Sequence, residues 1–299
     1  MKRLGNVENV VYELAVRPEP RIVRVTEPIH RSRSALEAEL HWIAYLQNAG
    51  VAVAAPISAA DGAAVVVVKE KRKTYFVSVF ERAPGGPFRG QRQWRPELAR
   101  SISALLAQMH RATKKYRVPA KGPRRHHWLA NDHLARGRHY IPRGDKEALR
   151  EYDQFMAWGR SLKESPGTFG LVHTDLHWGN FFVDRGMKLT AFDFDDSAYH
   201  FFAYDLCIAQ TSYRNWRQRL GDRGRFKYDD FCDQFREEYE QHYRLAEIWW
   251  RRIAMFERFR AMEMFAWCHK MFDLRYAKKW QLQLLQRCRA NFGKKIDLR

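Results

Sequence analysis

Apolar positions change period along the chain. VENVVYELAV, RIVRVT, VAAPIS, AAVVVVK and TYFVSVF are short runs rich in Val, Ile, Tyr and Phe, bounded by turn residues such as RPEP, and they predict β-strands. Between the second and third lies SALEAELHWIAYLQNAG, in which Leu36, Leu40, Ile43 and Leu46 recur at helical intervals. Ser34 and Glu37 have capping-box spacing there, and Gly50 can take the left-handed position beyond the helix end. After APGGP, Ala83 to Pro87, the period becomes helical: Pro96 opens a helix with Leu98, Ile102, Leu105, Leu106 and Met109 on one stripe. Two short strands around the DRG turn at Asp184 to Gly186 interrupt this pattern, and aromatic-rich helical periodicity then runs to the end. The pattern predicts an α+β chain of two lobes, a small β-rich one over residues 1–83 and a large helical one over 84–299.

One stretch does not fit a simple core. LVHTDLHWGNFFVDRGMKLTAFDFDD, residues 171–196, sets five Asp, two His and one Asn among apolar strand-like runs, where an uncompensated carboxylate is costly. His173, Asp175 and Asn180 stand as H-x-D-x-x-x-x-N, and Asp193 follows in the next apolar segment. Phosphoryl transfer needs such a set, because it consists mainly of positioning and of neutralising spreading negative charge. One carboxylate takes the acceptor's hydroxyl proton, while an amide oxygen and a second carboxylate, both hard ligands, hold Mg²⁺ against the phosphates.

Composition narrows the classes further. Of the 299 residues 45% are hydrophobic and 14% aromatic, which excludes a disordered chain. No signal-peptide pattern opens the sequence and no uncharged apolar run reaches about 18 residues, so a soluble, cytoplasmic protein without membrane contact is expected. Cys207, Cys232, Cys268 and Cys288 are widely spaced and are expected as free, mostly buried thiols. The net charge of +19 is concentrated in the middle third, densest in RATKKYRVPAKGPRRHH, residues 111–127, which reads as an exposed basic loop. That patch would suit an acidic partner; no nucleic-acid-binding motif accompanies it, and nucleic acid is not expected. Oligomeric state is left open.

HTDLHWGN followed by AFDFDD resembles the aminoglycoside phosphotransferase and choline kinase-like family, and within it the bacterial members that include type II homoserine kinases and a stress-response Ser/Thr kinase. The resemblance implies a protein-kinase-like two-lobed fold with its catalytic loop in residues 171–196, and ATP and Mg²⁺ as cofactors. It implies Asp175 as catalytic base, His173 as a structural member of its loop, Asn180 and Asp193 as metal ligands, Asp195 at a second metal ion, and Asp205 as an anchor of the loop. Arg24 occupies the strand position of the kinase phosphate-binding Lys, with Glu39 rather than Glu37 as its helical partner, since Glu37 is expected in the cap. Gly5, Asn6, Glu8 and Asn9 are candidates for a phosphate-covering turn, and backbone near Glu81 and Ala83 is expected to pair with adenine. The acceptor site would face Asp175, with His177 and Trp178 near the chemistry. For Asp229, Asp230 and Asp233 an exposed helix face is the first reading, and for Trp249, Phe256, Phe259 and Trp267 it is core; His110 is expected as a satisfied core histidine. The expected activity is transfer of the γ-phosphate of ATP to a small-molecule hydroxyl; a protein Ser/Thr kinase and a non-catalytic nucleotide-binding relative are the alternatives.

Overall fold

The Val- and Phe-rich runs of the first lobe pair edge to edge into one antiparallel sheet. Its strands are β1 (Lys2–Gly5), β2 (Val10–Leu14), β3 (Arg21–Thr26), β4 (Pro56–Ile57), β5 (Val66–Glu70) and β6 (Lys73–Glu81), in the order β1-β2-β3-β6-β4 with β5 also on β6. The structure, a computed structural model, describes residues 1–5, 8–88, 96–219 and 226–295. Helix α1 (Arg33–Asn48) buries Leu36, Leu40, Ile43 and Leu46, the stripe read from the sequence, and Gly50 has φ +82° just past its end. Its cap differs from expectation: Ser32 accepts from the Ala35 amide at 3.2 Å, while Glu37 pairs with Arg33 at 2.8 Å. Two turn-forming serines bracket Arg33, and the helix starts from the earlier one because Arg33 and Glu37 then fall one turn apart and pair.

Beyond β6 the architecture becomes helical. β7 (Gly86–Pro87) leaves the first sheet, and α2 (Pro96–Lys115), α3 (Asp132–Ala135), α4 (Gly137–Tyr140) and α5 (Lys146–Ser161) follow. A group of short strands comes next: β8 (Phe169–Val172), β9 (Phe181–Val183), β10 (Leu189–Ala191) and β11 (Ala198–Phe201). They pair as β10-β9-β7 and as β11-β8, all antiparallel. The remaining helices are α6 (Phe202–Arg219), α7 (Tyr228–His242), α8 (Glu247–Arg251), α9 (Ile253–Met271) and α10 (Lys279–Arg289). No helix among the described residues is long and apolar enough to cross a membrane. Cys207, Cys268 and Cys288 are buried and Cys232 partly so, all as free thiols.

The basic segment is largely the exposed loop expected, with Arg111, Lys114, Lys115, Arg117, Lys121 and Arg124 exposed, but it departs from that reading at two points. Arg111 to Lys115 end α2, and Arg125 is buried. The Arg125 guanidinium donates to the backbone carbonyls of Ala35, Asp195 and Ser197, so a residue counted among surface charges ties α1 to the acidic bend after β10. Burial holds its pKa below the usual arginine value. The lobes also meet through backbone, Ala54 N–H donating to Ala191 O at 2.8 Å and Ala191 N–H to Ala52 O at 3.0 Å, and through the edge-on packing of Trp42 against Phe194.

Gly85 shows why the connector carries glycine. Its φ is +80°, and a Cβ built there would lie 2.3 Å from the carbonyl oxygen of Val183. Replacing it with Ala combines left-handed strain with a backbone collision, so Gly85→Ala is expected to lower unfolding free energy by roughly 2 kcal/mol or more, as read by urea denaturation.

Candidate active site

The catalytic-loop candidates owe their place to one buried carboxylate. Asp205, in the first turn of α6, accepts the backbone N–H of His173 at 3.0 Å and of Thr174 at 2.7 Å, and His110 lies 3.4 Å away. Burial alone would raise its pKa; the His110 contact, the nearby histidines and the Thr174 amide outweigh that and hold it below the usual carboxylate range. Thr174 has φ +63°, a left-handed backbone rare outside glycine, and its hydroxyl donates to Asp196 O at 2.7 Å. His110 is the satisfied core histidine expected, bonded to the Tyr239 hydroxyl at 2.7 Å and stacked on Phe202.

The chain leaves β8 through this turn. His173 is fully buried, its Nε2 donating to Phe192 O at 3.1 Å and its Nδ1 accepting the Asp175 amide at 3.3 Å. Burial holds its pKa below the ordinary imidazole value, consistent with a neutral ring that shapes the loop. Asp175 is half-buried, and Asn180 Nδ2 donates to its backbone oxygen at 2.9 Å and its Oδ2 at 3.1 Å. The donor end of Asn180 is thereby engaged and its carbonyl oxygen is left as the ligand end. His177 Nε2 lies 3.4 Å from Asp175 Oδ2.

Asp193 sits one residue past Phe192 rather than within a strand, with φ +64°. Its carboxylate has no hydrogen-bond or ion-pair partner among the described residues. It stands open to the cleft on one side and is walled by protein on the other. The wall, then Asp195, push its carboxyl up to about 7, against the pull of Arg24, with Asp175 and Glu39 also raising it. Water on the open side draws that value back toward the ordinary range. The Phe192 amide next to Asp193 donates to Asn180 O at 3.0 Å, and an acid left unneutralised beside the amide side chain of Asn180 fits a hard divalent cation.

Arg24 and Glu39 meet as expected, in a buried forked pair with both contacts at 2.8 Å. Burial works against the Arg24 charge, and Glu39, Asp195 and Asp193 more than restore it. Asp195 is more crowded than Asp193. Its carboxylate meets His30 at 2.7 Å, Arg31 at 3.2 Å and Arg24 at 3.9 Å, and Glu8, His30 and Asp195 bring three potential ligand atoms together. Asp196 pairs with Arg31 at 2.6 Å. His30 and Arg31, between β3 and α1, carried no sequence signal apart from standing opposite an acidic run.

At the connector, the Glu81 amide already donates to Ala55 O at 2.8 Å, and the Ala83 carbonyl accepts from Arg82 at 3.2 Å. Of the turn candidates, Asn9 accepts the Thr26 hydroxyl at 2.6 Å and Glu8 approaches His30 at 3.8 Å; Asn6 lies outside the described residues. Asp229, Asp230 and Asp233 lie on an exposed face of α7, and Trp249, Phe256 and Phe259 are core. Trp178 stacks on Trp216 of α6 beside the loop. The sequence reading missed Arg260 of α9, whose Nη2 donates to Asp175 Oδ1 at 2.8 Å. A charged quartet, Glu257, Arg258, Arg260 and Glu263, within an otherwise apolar aromatic helix was the available signal.

Comparison with known proteins agrees with this geometry. Residues 2–261 match the phosphotransferase enzyme family, APH. An amicoumacin kinase of Bacillus subtilis (strain 168) is 31% identical over 297 residues, covering 98% of this chain and 86% of that protein. Among solved structures, an amicoumacin kinase in complex with AMP-PNP, Ca²⁺ and Ami superposes with a TM-score of 0.88 at 30% identity, over 97% of this chain and 86% of its own. A microcompartment-associated aminopropanol kinase shares the fold, with a TM-score of 0.75 at 20% identity over 96% of this chain and 88% of its own. The two-lobed architecture is that of the protein-kinase-like phosphotransferases, and the chain belongs to the phosphotransferase enzyme family as an ATP-dependent kinase of a small-molecule hydroxyl group.

Proposed function

We propose that the chain uses Mg²⁺-ATP, that Asp175 is its catalytic base, and that its acceptor is amicoumacin or a molecule of closely similar shape. The observation that supports this reading is that Asn180 bonds the Asp175 carboxylate at 3.1 Å and, through its backbone oxygen and the Phe192 amide at 3.0 Å, stands beside Asp193. Bound between the amide oxygen of Asn180 and the carboxylate of Asp193, the metal would neutralise charge on the phosphates. Arg24 has five N–H donors and Glu39 takes two, so the guanidinium can still grip phosphate oxygens, and its buried Nε has no protein partner. That favours an active enzyme over the non-catalytic alternative, since Arg here replaces both functions of a lysine. Adenine would pair with backbone groups of residues 81–83 that the sheet and Arg82 leave open.

Asp175 accepts the acceptor's hydroxyl proton as the hydroxyl oxygen bonds to the γ-phosphorus and the bond from that phosphorus to the β–γ bridging oxygen breaks, giving ADP and a phosphate ester. His173 and Asp205 keep the base in place without exchanging protons. Identity to an amicoumacin kinase along nearly the whole chain supports that acceptor, and the protein-kinase reading gains nothing comparable. A surface of +19 disfavours polycationic aminoglycosides.

Two outcomes are expected. With amicoumacin, aminopropanol, choline and spectinomycin offered in turn with Mg²⁺-ATP, amicoumacin is phosphorylated, and Asp175→Asn slows transfer by about 10²- to 10⁴-fold while AMP-PNP still binds. Equal turnover by wild type and Asp175→Asn, measured by coupled ADP assay, would remove the base from its role. Second, a protonated Asp193 cannot ligate metal, and its carboxyl is shifted upward by the protein wall and by Asp195, so protonation begins above the ordinary carboxylate range. Calorimetric titration should show Mg²⁺-AMP-PNP affinity strong near about pH 8 and weakening toward about pH 5.5, with a proton released on binding at the acid end. Asp193→Asn should bind weakly throughout and lack the component that the nucleotide's own titration does not account for.

A further inference from the structure

Arg260 is held more firmly than a surface ion pair requires. Its Nη1 donates to the Tyr204 hydroxyl at 3.0 Å and to Glu263 Oε2 at 3.2 Å, while Nη2 reaches Asp175 Oδ1 at 2.8 Å. Glu263 is buried and also bonds His133 at 3.0 Å and the Tyr204 hydroxyl; Tyr204 is itself buried beneath the stacked ring of His200. Two acceptors on Nη1 set the plane of the rigid guanidinium, so the remaining contact through Nη2 has one direction. Neutralising Glu263 would need only a cation; it would not need a fork whose other arm crosses to the catalytic loop. With Oδ1 held from α9 and Oδ2 from Asn180, the plane of the Asp175 carboxylate is determined at both ends.

We propose that Arg260 is a positioning residue for phosphoryl transfer: gripping Oδ1 of Asp175, it sets the carboxylate plane so that a lone pair of the base faces the acceptor's hydroxyl group. This rests on Asp175 being the base. The arrangement also makes α9, in the helical lobe where the acceptor binds, the support of the base, so an acceptor that displaced the helix would displace the base with it.

The test compares Arg260→Ala and Arg260→Lys with wild type, using Mg²⁺-ATP and amicoumacin, with thermal melting to verify the fold. A base free to swing is expected to lower kcat by roughly 10- to 100-fold with KM for ATP within about twofold. Lysine keeps the charge beside Glu263 and loses the fork; its loss should be intermediate, and it carries the test if Arg260→Ala does not fold. Because Arg260 acts through Asp175, adding Arg260→Ala to Asp175→Asn should cost less than about twofold more. Variants that keep kcat within about twofold while Asp175→Asn is impaired overturn the proposal. If wild type phosphorylates none of the acceptors, the acceptor reading fails, and this inference is judged separately on crystal structures with Mg²⁺-AMP-PNP. A rotated Asp175 carboxylate in the variants supports it; an unmoved one sinks it.

Discussion

Most of the site depends on a carboxylate that performs no chemistry. At the end of β8 the backbone must turn sharply enough to bring Asp175 and Asn180 into one cleft, and Thr174 turns it by taking a left-handed conformation. Such a conformation at a β-branched residue costs on the order of 1–3 kcal/mol, and it persists only where surroundings over-determine it. Asp205 supplies that: two backbone N–H groups converge on its oxygens, it is buried, and its own charge is held by His110. Because Asp205 starts α6, the turn is referenced to a helix rather than to a loop, and α6 also carries Trp216 to the stack with Trp178.

A second constraint follows from burying acids beside the first. Asp193, Asp195 and Asp196 would repel one another if left alone, and the fold resolves this with cations from the smaller lobe and from the segment after α2. Arg24 and His30 face Asp195, Arg31 faces both Asp195 and Asp196, and Arg125 holds the backbone of the bend. The result is asymmetric. Asp195, ringed by positive charge, has its pKa driven far below the ordinary range despite burial, while Asp193 is left with its proton affinity raised. The residue without a protein cation is the one at which a metal is expected. Part of the basic excess of the chain is therefore interior, given to compensating acids between the lobes.

What could be read from the sequence follows from how local each signal is. H-x-D-x-x-x-x-N is one loop closed by its own backbone, so spacing suffices to place His173, Asp175 and Asn180. Arg24 was recoverable through the resemblance, which gives its strand position, and Glu39 because helical phase turns it toward the Leu36 and Ile43 side; both are buried. The neighbours of Asp195 were not legible, since alternation cannot reveal side chains arriving from residues 24–31. Arg125 was hidden for the opposite reason: a dense basic run looks uniformly solvated, and only three convergent carbonyls make one member structural. Arg260 meets Asp175 across 85 positions, beyond any periodic pattern.

The same distinction explains why phosphate chemistry is legible and acceptor choice is not. The groups read as donor-side are fixed by backbone turns within one short segment, residues 171–196. On the proposed reading the acceptor side would draw on helices of the second lobe such as α6 and α9, which lie dozens of residues apart in sequence and carry no shared motif. The Arg260–Asp175 contact is the point at which these two halves touch. With Arg260 in the proposed positioning role, α9 would set the angle of the base, and changes there would alter specificity and rate together. An α9 sequence tuned to a new acceptor must keep the Tyr204–Arg260–Glu263 bracket or supply another hold on Asp175, which limits the routes by which this scaffold can change substrate.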